Sequence, residues 1–191
     1  KHYMYGIKED KIKEAKEKVI EMREKYPQLK ILLGVEANLL DYNGNTDITD
    51  EVKKYCDIIL CGYHMGALFS TPGDAWKFLV INKIGKINEK EFKNIRSKNT
   101  NAIVAALRKN QIDILTHPGD KIPVNIDRIA AVAEETGTIL EINNSHSHLN
   151  AEEIKIASKY NVKFAINSDA HIKYNIGSYE KGLQSAVEAG L

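Results

Sequence analysis

The sequence predicts an α/β fold in which parallel strands alternate with helices and wind into a β/α barrel. Three observations carry this expectation. Short apolar runs suited to buried strands alternate with amphipathic helical stretches along the 191 residues, the pattern of a parallel sheet. No strand-like run is followed by Gly-x-Gly-x-x-Gly or Gly-x-x-x-x-Gly-Lys-Ser/Thr, so nucleotide-binding open sheets lose their main support. Four of the five runs end in a residue able to ligate a metal, and side chains at several strand ends converge on one point only if the strands close around an axis.

The first helix is expected over residues 8–26. Ile12, Ala15, Val19, Met22 and Tyr26 share one face, and Glu14 with Lys18 and Glu21 with Lys25 are spaced to pair on the other. Pro27 stops it. Residues 31–36 are apolar at both parities, which suits a strand covered on both sheet faces, and the run ends in Glu36. Asn43-Gly44 marks a turn, and a short helix is expected over 50–55. The strand unit then recurs: 57–63 runs into His64, 112–116 into His117-Pro118-Gly119, 138–142 into Asn143-Asn144, and 162–167 into Ser168-Asp169-Ala170-His171. Helices are expected over 89–110, over 126–136 with Gly137 as its stop, over 151–160 behind an Asn150/Glu153 capping box, and over 178–189. Residues 66–88 read as a long loop with some helix.

All of 1–191 reads as a single domain, without linker or low-complexity segment. Five parallel strands do not close a barrel, so at least two more are expected ahead of Lys1, leaving the domain incomplete at its N-terminus. The 27 basic and 26 acidic residues sum to +1, which supplies no broad field for nucleic acid or anionic lipid. No apolar run approaches the ~20 residues of a membrane span. Two cysteines, Cys56 and Cys61, make neither a disulfide framework nor a zinc ribbon, and a reduced, cytoplasmic setting is expected.

Only six histidines are present, so their placement is informative. Glu36, His64, His117, Asp169 and His171 each fall at or just past a strand's expected C-terminal end, where parallel α/β folds build their sites. Three imidazoles with two carboxylates suit zinc, manganese or iron. Glu36 and Asp169 are the candidate catalytic carboxylates, able to bridge metals. His146 and Asn143, near the end of the fourth run, are candidates for contacting substrate. His148 and His2 read as loop residues, Cys61 as core filler and Lys121 as a solvated loop lysine. The cluster of Lys83, Lys86, Lys90, Lys93, Arg96 and Lys98 is broken by Glu89 and Glu91 and reads as a solvated helix face. No serine or cysteine nucleophile sits on a strand-to-helix elbow.

The series Gly34-Val35-Glu36-Ala37-Asn38, Cys61-Gly62-Tyr63-His64, Thr116-His117-Pro118-Gly119, Glu141-Ile142-Asn143-Asn144-Ser145 and Asn167-Ser168-Asp169-Ala170-His171 resembles the PHP (polymerase and histidinol phosphatase) superfamily. It is most similar to the stand-alone metal-dependent phosphoesterases. The resemblance implies a distorted seven-stranded β/α barrel holding two or three divalent ions. It makes Glu36 a metal-bridging carboxylate, His64 and His117 ligands, and Asp169 with His171 the last metal-binding pair. It also implies hydrolysis of a small phosphomonoester, with a DNA-end nuclease or a metal-free regulatory barrel as the alternatives. The family's opening His-x-His and Ser-Asp-His-like motifs are absent and belong to the strands expected ahead of Lys1. His146-Ser147-His148 stands in the wrong place to replace them.

Overall fold

The computed structural model describes residues 8–65, 67, 69–76 and 88–191. His2, Lys83 and Lys86 lie outside them. Strands β1 (Gly34–Asn38), β2 (Ile58–Gly62), β3 (Ile114–Leu115), β4 (Ile139–Asn143) and β5 (Phe164–Asn167) form one five-stranded sheet in the order β1-β2-β3-β4-β5. Every pairing is parallel. Among the described residues the α-helices are α1 (Glu9–Lys25), α2 (Asp50–Lys53), α3 (Pro72–Trp76), α4 (Glu89–Lys109), α5 (Ile126–Thr136), α6 (Ala151–Ala157) and α7 (Glu180–Ala189). Each strand adds to the same edge as its predecessor, without the reversal of strand order that marks a doubly wound sheet.

The two faces of the sheet differ. Ala37, Cys61, Leu115, Leu140 and Ile142 point to the outer face and join one core with Ala102, Ile103, Ala106 and Leu107 of α4, Ile129 and Ala133 of α5, and Ile154 of α6. Cys61 is buried there, as core filler should be. The register places Gly34 beside Ile58, Glu36 beside Leu60, Leu60 beside Ile114, and Glu141 beside Ala165 on the other face. This inner face opens into a groove of about 520 Å³, lined by Leu32, Ile58, Leu60 and Ile114 below and by Glu36, His117, Glu141 and Asp169 toward the strand ends.

Local chemistry explains most element ends. Thr49, Asn88, Asn125 and Asn150 each accept a backbone N–H at a helix N-terminus, and Asn150 with Glu153 completes the capping box. Gly137 ends α5 at φ 75°, a left-handed position that glycine adopts without cost. The first turn of α7 is capped from a distance: Asn144 Oδ1 accepts from the N–H groups of Lys181 and Gly182 at 2.9 and 3.1 Å. This ties α7 to the end of β4. Gly182 permits the close approach, since a Cβ there would stand 2.6 Å from Ile166 Cγ2.

The first strand departs from expectation. It begins at Gly34, and its inner face is open, with Leu32 45% exposed. Asp57 is the reason for the late start. Its Oδ2 accepts the Leu33 N–H at 2.7 Å, so a side chain takes the place of a strand partner. The same carboxylate meets Lys16 at 2.9 Å and Arg23 at 2.6 Å, and so pins α1 to the sheet. Of the expected apolar face of α1, Ile12 is buried whereas Met22 and Tyr26 are each 37% exposed.

The Leu33 N–H and Lys16, opposed by partial burial and joined by Arg23, hold the Asp57 carboxyl down at about 2. A depressed carboxyl stabilises fully above its ordinary value near 3.8 and loses that contribution as pH falls through the folded value. Asp57→Asn should therefore cost about 1–2 kcal/mol at neutral pH, given partly exposed ion pairs plus one backbone hydrogen bond. Urea unfolding should show the difference between variant and parent shrinking between about pH 4 and about pH 2.

Candidate metal centre

Three successive strands deliver side chains to one atom, Oε1 of Glu36. Glu36 stands on the inner face of β1, two residues before its end; His64 and His117 stand two residues past the ends of β2 and β3. Thr116 Oγ1 donates to Oε1 at 2.6 Å. His117 Nε2 and His64 Nε2 lie 3.2 and 3.4 Å from the same oxygen. The two imidazoles meet edge to face, with ring centroids 5.1 Å apart at 87°. Gly62 makes the meeting possible: a Cβ there would collide with Thr116 Oγ1 and stand 2.9 Å from His117 Cε1 and 3.1 Å from Glu36 Oε1.

Burial opposes ionisation of Glu36. Hydrogen bonds from His117, His64 and Thr116, with the charge of His64, outweigh it and hold the carboxyl well below its ordinary range. Burial likewise lowers His117, but its contact with Glu36 and the charges of Glu36, Glu141 and Asp120 raise it above the usual imidazole value.

Glu36, His64 and His117 can hold a metal ion, since their ligand atoms all lie within 4.8 Å of one another. The separations of 3.2 and 3.4 Å fit that reading. Tetrahedral coordination with bonds of ~2.0–2.2 Å sets neighbouring ligand atoms roughly 3.3–3.6 Å apart. Nδ1 of His117 is buried with no hydrogen-bond partner among the described residues. Such an orphan costs about 1–3 kcal/mol and is a feature that functional sites tolerate.

Asp169 lines the same groove, two residues past β5, with φ 49°. Its Oδ2 lies 3.3 Å from His146 Nε2 and accepts from Asn143 Nδ2 at 3.2 Å. The His146 ring is 6.0 Å from that of His117. His171 stands apart from the cluster: it is 81% exposed, and its Nδ1 turns back to the Asp169 carbonyl at 2.9 Å. His148 lies beside Asp120, 3.9 Å away, and Lys121 pairs with Asp120 at 2.7 Å instead of being solvated alone.

Sequence reasoning passed over Thr116, Gly62 and Glu141. The signal for Thr116 is its place next to His117, on the inner-face parity of β3. That for Glu141 is a carboxylate in mid-strand, two residues before Asn143.

No protein-family profile matches the chain. A protein of Thermoanaerobacter sp. named as a probable phosphatase is 32% identical over 177 residues, covering 88% of this chain and 63% of the relative. A probable phosphatase of Caldanaerobacter subterraneus is 30% identical over 170 residues, 84% of this chain and 58% of that protein. One of Proteus mirabilis is 32% identical over 167 residues, covering 83% and 59%. The chain is similar to proteins named as phosphatases. It spans about three fifths of the length of these curated relatives.

Gly62→Ala tests the convergence on Glu36. The added methyl must displace Thr116 or His117, so the variant should lose about 1–3 kcal/mol in urea unfolding, the cost of overpacking. It should also bind less zinc than the parent in equilibrium dialysis. Wild-type stability with wild-type zinc uptake would show that the close approach at Gly62 is not needed.

Proposed function

We propose that this chain is the greater part of a PHP-type metal-dependent phosphoesterase that hydrolyses a small phosphomonoester. The observation that carries the proposal is the single carboxylate oxygen shared by two imidazoles at parallel strand ends. The names of the relatives support the phosphatase part of this reading. On this reading Glu36, His64, His117 and Asp169 hold two or three divalent ions, zinc, manganese or iron, and His171 would join them by turning its ring away from the Asp169 carbonyl. Such ions supply an activated water near neutral pH and positive charge for phosphate oxygens.

The chain's own residues have distinct tasks. Glu36, held ionised, offers its charge to the cations while Thr116 fixes its orientation. His64 and His117 present Nε2. Asp169 supplies a second carboxylate, and His146, partly exposed beside it, is placed to meet the phosphate. No protein nucleophile is required.

Barrel closure belongs to the same proposal, within one domain covering 1–191 and further strands. β1 and β5 are the sheet's two edges, and the apolar floor of Leu32, Ile58 and Leu60 is the kind of surface that strands of a barrel interior cover. The strand order runs as a barrel's does. No described helix is long and apolar enough to cross a membrane. The proposed compartment is the cytoplasm, where the free thiols of Cys56 and Cys61 stay reduced. A charge of +1 argues against a nucleic-acid substrate.

Glu36→Gln and His148→Ala, compared in the intact protein, test the assignment. Glu36→Gln removes charge with little change of shape, and should lower metal content and the rate on p-nitrophenyl phosphate by at least ~10–100-fold. His148→Ala should stay within about twofold of the parent, by the usual mildness of changes away from a site. Full metal and rate in Glu36→Gln with loss of both in His148→Ala would overturn the site. Faster turnover of a short oligonucleotide than of the monoester would overturn the substrate class.

A further inference from the structure

Glu141 is 3% exposed and sits on the inner face of β4, lining the same groove as Glu36 and His117. Its Oε2 accepts the backbone N–H of His117 at 2.6 Å and Asn143 Nδ2 at 3.1 Å, and its Oε1 accepts Asn167 Nδ2 at 2.8 Å. Donors from the ends of β3, β4 and β5 thus share one carboxylate. Glu141 and Asn143 stand two residues apart on a strand and so share a face. Asn143 gives its other amide hydrogen to Asp169 Oδ2 at 3.2 Å. Its Oδ1 accepts the N–H groups of Ser145 and His146 at 2.9 and 2.8 Å. An asparagine amide has two hydrogens and two acceptor sites, and all four are engaged within the protein. Asn143, expected from sequence to contact substrate, has no capacity left for one in this arrangement.

The pair also meets the backbone where it is least relaxed. His117 and Asp169 both have left-handed φ, 29° and 49°, a region costly for residues with a Cβ. Glu141 holds the first through its N–H, and Asn143 holds the second through its carboxylate. An acceptor-only group suits position 141, because three donors face it; a glutamine would turn an NH₂ toward at least one of them.

We propose that Glu141 and Asn143 are positioning residues: together they fix His117 and Asp169, on different strands, in one arrangement toward the groove. The proposal rests on the metal reading for its consequence, but the positioning itself is a property of the protein alone.

The test uses the intact protein, with Glu141→Gln, Glu141→Ala and Asn143→Ala, and zinc as the probe, its affinity measured by competition with a chromophoric chelator. Amide hydrogen exchange is followed without metal. Glu141→Gln should weaken zinc binding ~10–100-fold, the usual consequence of losing a group that orients a ligand. It should lower kcat with KM near the parent's; Glu141→Ala, which removes both acceptor oxygens, should speed exchange of the His117 amide by about tenfold or more, since its hydrogen bond to Oε2 is then lost. Exchange of core amides such as Leu107 and Ile129 should keep the parent's rates. Asn143→Ala should weaken zinc binding and leave the His117 amide protected, and it decides the matter if the Glu141 variants do not fold. Unchanged zinc affinity with unchanged His117 exchange would overturn the proposal, as would faster exchange throughout the core. Failure of the parent itself to take up zinc would refute the metal reading instead, and the His117 exchange would still judge the positioning.

Discussion

A hydroxyl and two imidazoles meet at one carboxylate oxygen, Oε1 of Glu36, and much of the surrounding structure serves to bring them there. A parallel sheet in sequential order is the first requirement, because it sets the C-terminal ends of β1, β2 and β3 side by side. The second is a gap in β2, which Gly62 provides, so that Thr116, just past β3, reaches across to Glu36 on β1. The third is a fixed loop after β3. Arg96 Nε donates to the Val124 carbonyl, Asn99 Nδ2 to that of Pro123, and the Thr100 hydroxyl accepts the Asn125 N–H, so α4 clamps the segment that follows His117. Asn99 and Thr100 are fully buried polar residues whose place in the core is explained by this clamp.

The same constraint concentrates negative charge. Glu36, Glu141 and Asp120 all act on His117, and burial makes each carboxylate costly unless hydrogen bonds or cations offset it. The protein supplies hydrogen bonds to Glu36 and Glu141 from four strand ends. Among the described residues that line the groove, no lysine or arginine adds to the positive charge of the imidazoles. Divalent cations would complete the balance, which is the electrostatic argument for the proposed metal centre.

Legibility in the sequence follows where each structure gets its cause. The bounds of α5 can be read because Asn125 and Gly137 punctuate it locally, and the start of α6 because Asn150 and Glu153 do. The start of β1 cannot, because Asp57, distant in sequence, takes the Leu33 N–H. Nor does apolarity at both parities tell which face of a strand is covered; Leu32 and Ala37 look alike in the sequence and differ from 45% to 2% in exposure. His64 and His117 are legible because the same strand-end placement recurs along the chain, with Glu36, Asp169 and His171. Thr116 and Glu141 are not, since a hydroxyl or a carboxylate in a strand gains meaning only once the inner face is known. The family resemblance implies that Asp169 and His171 act as a pair at one point, yet the ring turns outward to the Asp169 carbonyl, a local competition that a motif cannot reveal.

Strain and packing are divided between the two faces of the sheet. Left-handed backbone at His117 and Asp169 costs of order 1–3 kcal/mol each, and burying Glu141 adds a desolvation cost. These costs fall at the C-terminal ends of the strands, on the inner face. The offsetting apolar burial lies on the outer face, where Leu107, Ile129, Leu140, Ile142 and Ile154 are nearly or fully buried. A side chain held by packing from one face and by directed hydrogen bonds on the other has little freedom to relax, and precise ligand geometry requires that condition. The residues that make the site costly are therefore the ones the core must be large enough to hold, which ties the stability of the outer layer to the geometry of the inner one.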